Sequence, residues 1–444
     1  MTSDGLLGRI TSFASSAWKA RGPVMSHPVT GILLVVMLVG GIVLRIQNYG
    51  YPFHQIFDEP QYAGAASQFM VGNPDVGECC HPPLGKLFIG VGLLLLGNNP
   101  EGWRFAPLVF GLQNMVLVYL IASSLFRDRR AGWLAAAFMA ADGFYLSYSR
   151  ASLPDMSLAS LVLWSLLAAI SARGWAGVLA CAVLVGLAAS IKWVGLLVGL
   201  PACVALLMLR RVRWYTLASF AVVPFVHLVV WMLGLKLIGH PYDVMSVLEE
   251  MQRRSQIHLG FVHGVNPMES HWPSWLVLYH PLVIKRALVG STVALASSVG
   301  NPVLWLAADA CLLALLGLGV LTALRSRVRA AATLHARIRG QWQELYDVRF
   351  LKAVAILGVA WVSMMLLWFS GRITTYWYHY LTPWGIALTL LGGVVARLDR
   401  RFPKEVLMFV SLALIFAIWF APVWAEIPIS VSAMRQRLIF PLWR

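Results

Sequence analysis

The sequence predicts an all-α polytopic membrane protein, and three observations carry that prediction. Of its 444 residues, 59% are hydrophobic and only 12% charged, where a soluble domain carries about 25% charged residues. Mean hydropathy is +0.72, and apolar stretches suited to the roughly 30 Å hydrocarbon core recur from residue 31 to residue 423. These stretches are continuously apolar, without the alternation of a barrel strand, so helices that satisfy their own backbone hydrogen bonds are the expected elements.

Taken in order, Arg9, Lys19 and Arg21 precede the first run, 31–44, and no small-residue cleavage site follows it. An uncleaved first helix with residues 1–30 in the cytoplasm is expected. Further runs fall at about 105–125, 131–147, 156–171, 175–190, 193–209, 214–238, 302–322, 351–369, 380–396 and 404–423, which makes about eleven spans. The segment 84–97 is about 14 residues, the length of an interfacial or re-entrant helix. Loop charge decides its placement: if it does not cross, the basic connectors 127–130, 210–213, 325–339 and 397–404 all fall in the cytoplasm, as the positive-inside rule requires.

That topology gives a membrane domain over 31–423, external loops at about 47–104 and 239–301, and an external tail, 424–444. The first loop is expected to hold amphipathic interfacial helices at 60–71 and 84–97. The location follows: a multi-pass protein of the cell's inner or plasma membrane. Lys and Arg exceed Asp and Glu by 35 to 19, but this excess sits in short connectors, which excludes nucleic acid as a partner and leaves membrane lipid. Cys181, Cys203 and Cys311 lie in apolar runs as small hydrophobes, while Cys79 and Cys80 are adjacent in the first external loop and are expected to be unpaired.

The same topology places most ionisable residues near membrane depth on the external side, which points to a site at that surface. Asp58 and Glu59 precede an amphipathic stretch; one can serve as a base while the other orients a partner, or Asp58 can simply cap a helix that starts at Pro60. His81-Pro82-Pro83-Leu84-Gly85-Lys86 is a stiffened turn whose lysine can reach an anionic headgroup or merely snorkel. Arg104, Arg150, Lys192 and Arg372 each end a span, and a phosphate is the natural anion to gather such cations. Asp155 can pair with Arg150. GxxxxGK[ST], HExxH and GxSxG patterns are absent, so the donor is expected to be something already in the membrane.

Phe57-Asp58-Glu59, HPPLGK at 81–86, Trp103-Arg104 with Pro107 and Gly111, Ser149-Arg150 with Asp155, Lys192-Trp193-Val194-Gly195, Gly300-Asn301-Pro302 with Trp305, and Tyr378-His379-Tyr380 together resemble the protein O-mannosyltransferases. These belong to the C-type superfamily of lipid-phosphate-sugar glycosyltransferases. The resemblance runs from about residue 31 to 396. The stretch 239–301 is too short for the β-trefoil domain of eukaryotic members, which implies a bacterial type. Asn266-Pro267-Met268 departs from the family's histidine-containing motif in that loop.

The resemblance implies inverting transfer of mannose from polyprenyl-phosphate mannose to a Ser or Thr hydroxyl of an exported protein at the outer face. Asp58 would be the base and Glu59 would help hold the acceptor. Arg104, with Lys86, Arg150, Lys192 and Arg372, would neutralise the leaving phosphate; His81, Pro82, Asp155, Tyr378 and His379 would complete the site. The scheme requires no metal and leaves a divalent ion open. Two other readings stand beside it: a related transferase acting on a lipid or glycan hydroxyl, and, more remotely, a transporter, although no inverted repeat or midplane charge is visible.

Overall fold

In hydrocarbon each backbone polar group must find a partner within the protein, so each apolar run is expected to coil. The computed structural model describes residues 25–73, 80–209, 213–260, 268–324, 347–369 and 375–443, with positions 333, 338 and 340. Residues 1–24, Cys79, Asn266, Pro267, Arg372 and most of the 325–339 connector lie outside the described residues.

All eleven apolar runs fall on helices. The chain begins with α1 (Pro28–Ile46), then the two helices of the first loop, α2 (Glu59–Val71) and α3 (Leu84–Leu96). There follow α4 (Pro100–Phe126), α5 (Arg129–Ala140), α6 (Gly143–Tyr148), α7 (Asp155–Ser171) and α8 (Gly174–Ala189). A 3-10 turn (Trp193–Val198) leads into α9 (Gly199–Met208), and a second (Trp214–Ala221) into α10 (Val222–Leu237). The second loop carries α11 (Val244–Leu259) and α12 (Trp272–Leu276), after which come α13 (Pro302–Leu324), α14 (Val348–Phe369), α15 (Leu381–Asp399) and α16 (Pro403–Trp424). Among the described residues, 7 helices are long and apolar enough to cross a membrane by length and composition. This is a multi-pass membrane protein. The other expected crossings correspond to helices of 10–17 residues or, at 131–147, to two helices broken at Asp142.

That break has a cause. The Asp142 carboxylate accepts from Tyr145 N at 3.0 Å and from Asn301 N at 3.0 Å, capping α6 while tying it to the turn before α13. The Asn301 amide donates to Ala141 O at 3.1 Å and Ala413 O at 2.8 Å. Gly300 is required there because a Cβ would collide with the Trp305 ring.

The second loop departs from the all-helical expectation. Val283–Val289 (β1) and Thr292–Ser297 (β2) form an antiparallel hairpin, closed by a two-residue turn with Gly290 at φ +60°. Ile429–Ser430 (β3) adds to β2, so the tail, which then continues into α17 (Val431–Arg437), packs back onto the loop.

Two basic connectors meet through acidic partners. Arg400 pairs with Asp128 at 2.8 Å and Arg130 with Asp399 at 3.0 Å, while Ser26 N donates to the same Asp399 carboxylate at 2.9 Å. The segment before α1 and the connectors 127–130 and 397–401 therefore share one end of the bundle.

Candidate active site

Asp58 stands at the N-cap position of α2, yet its side chain makes no capping hydrogen bond; the helix starts instead on Pro60 and on the Asp58 carbonyl, which accepts from Gln61 N at 3.1 Å. Phe57 before it adopts φ +52°, a left-handed conformation uncommon for a bulky residue, and its ring meets Tyr378 edge-on at 6.3 Å. Burial pushes the Asp58 carboxyl upward from its ordinary range, opposed by the Lys192 charge and reinforced by Asp155.

Glu59 and Arg104 are both fully buried and bind each other through two bonds of 2.8 Å. Glu59 also accepts from Ser152 N at 2.9 Å and Ile56 N at 3.1 Å. Burial would raise its carboxyl, but the Arg104 hydrogen bonds and the Lys285 and Arg104 charges bring it below its usual value. The remaining donors of Arg104 go to the Gly50, Pro52 and His54 carbonyls at 2.8, 3.0 and 3.1 Å. The expected roles, acceptor contact for Glu59 and phosphate contact for Arg104, do not match these positions: every polar atom is used to fold the first loop over α4.

Arg150 is likewise committed. It donates to Leu44 O and Gln47 O at 2.7 and 2.6 Å and to Asn48 O at 3.2 Å, satisfying carbonyls at the C-terminal end of α1. Its expected partner, Asp155, pairs instead with Lys192, whose Nζ lies 2.9 and 3.0 Å from the two carboxylate oxygens. Lys192 also sits over the Tyr378 ring at 4.9 Å.

The motifs converge through close backbone approach. Leu84 N donates to Ser190 O at 3.1 Å, and a Cβ on Gly85 would press into Pro154 and Ile191. Thus the HPPLGK turn, the start of α7 and the Lys192 turn are forced together. They border a cavity of about 430 Å³ lined by His81, Asp155, Lys192, Ser255, His258, Tyr378 and His379, with Leu158, Trp193, Met364, Trp368 and Pro383 among its apolar walls. The His81 ring stacks on Tyr62 and meets His258 at 5.2 Å. His379 stacks on Trp368 at 4.0 Å and accepts from Tyr376 N at 3.1 Å. Pro82 is buried in the turn itself. Lys86 does not line the cavity; it is buried and donates to His81 O at 2.9 Å.

Four site residues escaped the sequence. Ser255, Arg254 and His258 lie on α11, where Arg254 packs over Trp231 at 5.4 Å and donates to His81 O at 3.3 Å; the helix's apolar spacing was the available signal. Lys285 on β1 pairs with Glu426 in the tail at 3.1 Å.

With this geometry in place, comparison with known proteins is decisive for the family. Residues 80–235 match the family described as dolichyl-phosphate-mannose-protein mannosyltransferase. Residues 243–443 match the C-terminal four-transmembrane region of protein-O-mannosyltransferase. The chain belongs to the protein O-mannosyltransferase family. Among its relatives is the polyprenol-phosphate-mannose–protein mannosyltransferase of Mycolicibacterium smegmatis, 34% identical over 153 residues, which are 31% of this chain and 30% of the relative. The dolichyl-phosphate-mannose–protein mannosyltransferase 1 of Saccharomyces cerevisiae is 26% identical over 192 residues, 37% of this chain and 23% of the relative. The matched stretches thus span less than a third of these relatives' length.

The fold of this mannosyltransferase-family chain is shared with the S. cerevisiae protein O-mannosyltransferase Pmt1-Pmt2 complex bound to the sugar donor. The TM-score is 0.72 at 14% identity, covering 95% of this chain and 93% of that one. The archaeal oligosaccharyltransferase AglB from Archaeoglobus fulgidus gives 0.51 at 14% identity, covering 89% and 55%.

Proposed function

We propose that this chain is an inverting glycosyltransferase that moves mannose from polyprenyl-phosphate mannose to Ser or Thr hydroxyls of exported proteins. One observation carries the reading. Asp58, half-buried and not engaged as a cap, lies within electrostatic reach of the Lys192–Asp155 pair on the wall of the cavity, and its neighbour Phe57 packs on Tyr378 of the same wall, so a base stands beside the cation of that chamber.

The chemistry is a single displacement. Asp58 takes the proton of the acceptor hydroxyl as its oxygen attacks the anomeric carbon, and an upward-shifted carboxylate is a better base than an ordinary one. The bond to the phosphate breaks, and Lys192, held by Asp155, meets the charge that develops on the leaving group. His81 and His258 supply further donors along the wall, and Trp193, Trp368 and Leu158 provide apolar contact for the lipid. The cavity falls in the usual size range of small-molecule sites, about 300–1,000 Å³, and the names of the bacterial relatives support the donor. Glu59, Arg104 and Arg150 act as scaffold. Lys86 fixes the His81 turn, and Arg372 remains a candidate for the phosphate.

The transferase unit is 31–423, with 1–30 in the cytoplasm, loops 47–104 and 239–301 external, and the tail 424–444 external. The meeting of basic connectors at one end supports this orientation, and with it an active site at the outer face of the inner or plasma membrane. The experiment is transfer from labelled polyprenyl-phosphate mannose to a Ser/Thr peptide by the purified protein in nanodiscs. Mannosylated peptide of inverted anomeric configuration is the expected product; donor hydrolysis or transfer only to lipid would overturn the reading.

A further inference from the structure

The tail and the hairpin hold a charge pair that the transfer chemistry does not use. Lys285 is 2% and Glu426 6% exposed. Lys285 Nζ lies 3.1 Å from the Glu426 carboxylate, donates to Arg150 O at 2.6 Å and reaches Tyr51 O at 3.5 Å. The ammonium thus joins three different segments, through hydrogen bonds to two backbone carbonyls and a charge pair with Glu426. Glu426 also lies 3.6 Å from Arg150 Nε. It is held at φ +60°, a left-handed conformation that a side chain of its kind adopts only when its surroundings impose it.

The placement matters because of what the three segments do. Tyr51 belongs to the loop whose Gly50, Pro52 and His54 carbonyls are bound by Arg104, and that loop ends on Asp58. The 149–153 turn supplies Ser152 N to Glu59. Lys285 therefore spans the two sides of the frame that presents Asp58, and Glu426 anchors Lys285 from the opposite end of the chain.

We propose that Lys285, kept charged by Glu426, is a positioning residue that locks the first external loop with Asp58 in place, so that the C-terminal tail completes the active site. This rests on the mannosyl-transfer reading. The charges facing Lys285 are Glu426 and Glu59, which favour its protonation, and Arg104 and Arg150, which oppose it. Burial is the largest influence and pushes its ammonium down to about 8, within reach of an ordinary pH titration. Above that pH the amine loses its charge attraction to Glu426 and the charge that strengthens its two carbonyl bonds, and the loop loosens.

The test is a pH series on the full chain in nanodiscs with two readouts: mannosyl transfer, and hydrogen exchange of residues 49–59 corrected for intrinsic rates. In the wild type both should change together near pH 8. Glu426→Gln removes the favourable charge, so both transitions should move down by about one unit or more, with transfer at pH 7.5 falling roughly threefold or more. Lys285→Met should abolish the alkaline transition, and Lys285→Met with Glu426→Gln should be more stable than Glu426→Gln alone, because neither buried charge is left unpaired. A merely structural pair would lower active protein equally at every pH and leave the transitions where they are; that result overturns the proposal. If the exchange transition moves but no mannose is transferred by the wild type, the mannosyl-transfer reading fails while the lock stands; transfer with an unmoved exchange transition defeats the lock alone.

Discussion

Arg104→Ala separates a scaffold role from a phosphate-binding one. The guanidinium and the Glu59 carboxylate are both 0% exposed and joined by two bonds of 2.8 Å, so their interaction is not weakened by solvent. Removing the arginine strands the Glu59 charge in the interior and leaves the Gly50, Pro52 and His54 carbonyls without their donor. Breaking a buried pair from one side costs about 3–5 kcal/mol, or roughly two to four orders of magnitude in the folded ratio at 1.4 kcal/mol per tenfold. A ligand to the donor phosphate would behave differently, costing about 1.5–3 kcal/mol in donor affinity and little in stability. The assay is thermal inactivation in nanodiscs beside donor binding by the folded fraction. The expected outcome is a strongly destabilised protein, and Arg104→Lys should not rescue it because an ammonium cannot replace the fork. Wild-type stability with a weakened donor would refute the scaffold assignment.

Other outcomes follow from the same geometry. Lys192→Met removes the charge that opposes the upward shift of Asp58; Asp58 is active when ionised, so the acid limb of the transfer rate should move to higher pH, and an unmoved limb would separate the two residues. His258→Ala, on the cavity wall beside His81, should raise the donor KM by about tenfold, the loss of one hydrogen bond to a charged group, with little change in thermal stability. Cysteines placed at the exposed positions Tyr279 and Arg400 test orientation: an impermeant thiol reagent on intact cells should label the first and spare the second.

The elements that hydropathy governs were legible. A run long enough for the bilayer has to become a helix, so all eleven runs reappear as helical segments, and the connectors 127–130 and 397–401 meet through the pairs Arg130–Asp399 and Arg400–Asp128. What the chain's order hides is the count of acceptors around a cation. Arg104, Arg150 and Lys192 look alike in sequence, each a cation at the end of a span. Two of them bind carbonyls of the 44–54 segment, Arg104 together with the Glu59 carboxylate, and Lys192 lines the cavity with Asp155 as its partner. Asp142 broke the 131–147 run by capping Tyr145 N locally, while the bond from Asn301 N that fixes its other oxygen comes from far along the chain. The Lys285–Glu426 pair was equally hidden, since two isolated charges 141 positions apart carry no periodic signal.

The central claim, that Asp58 is the base, is tested most directly by Asp58→Asn. Asparagine keeps the shape and would serve a helix start about as well, but cannot take the acceptor's proton. Steady-state transfer should fall by about 10² to 10⁴ while donor binding and thermal stability stay near wild type. An Asp58→Asn protein that transfers mannose at the wild-type rate would contradict the account.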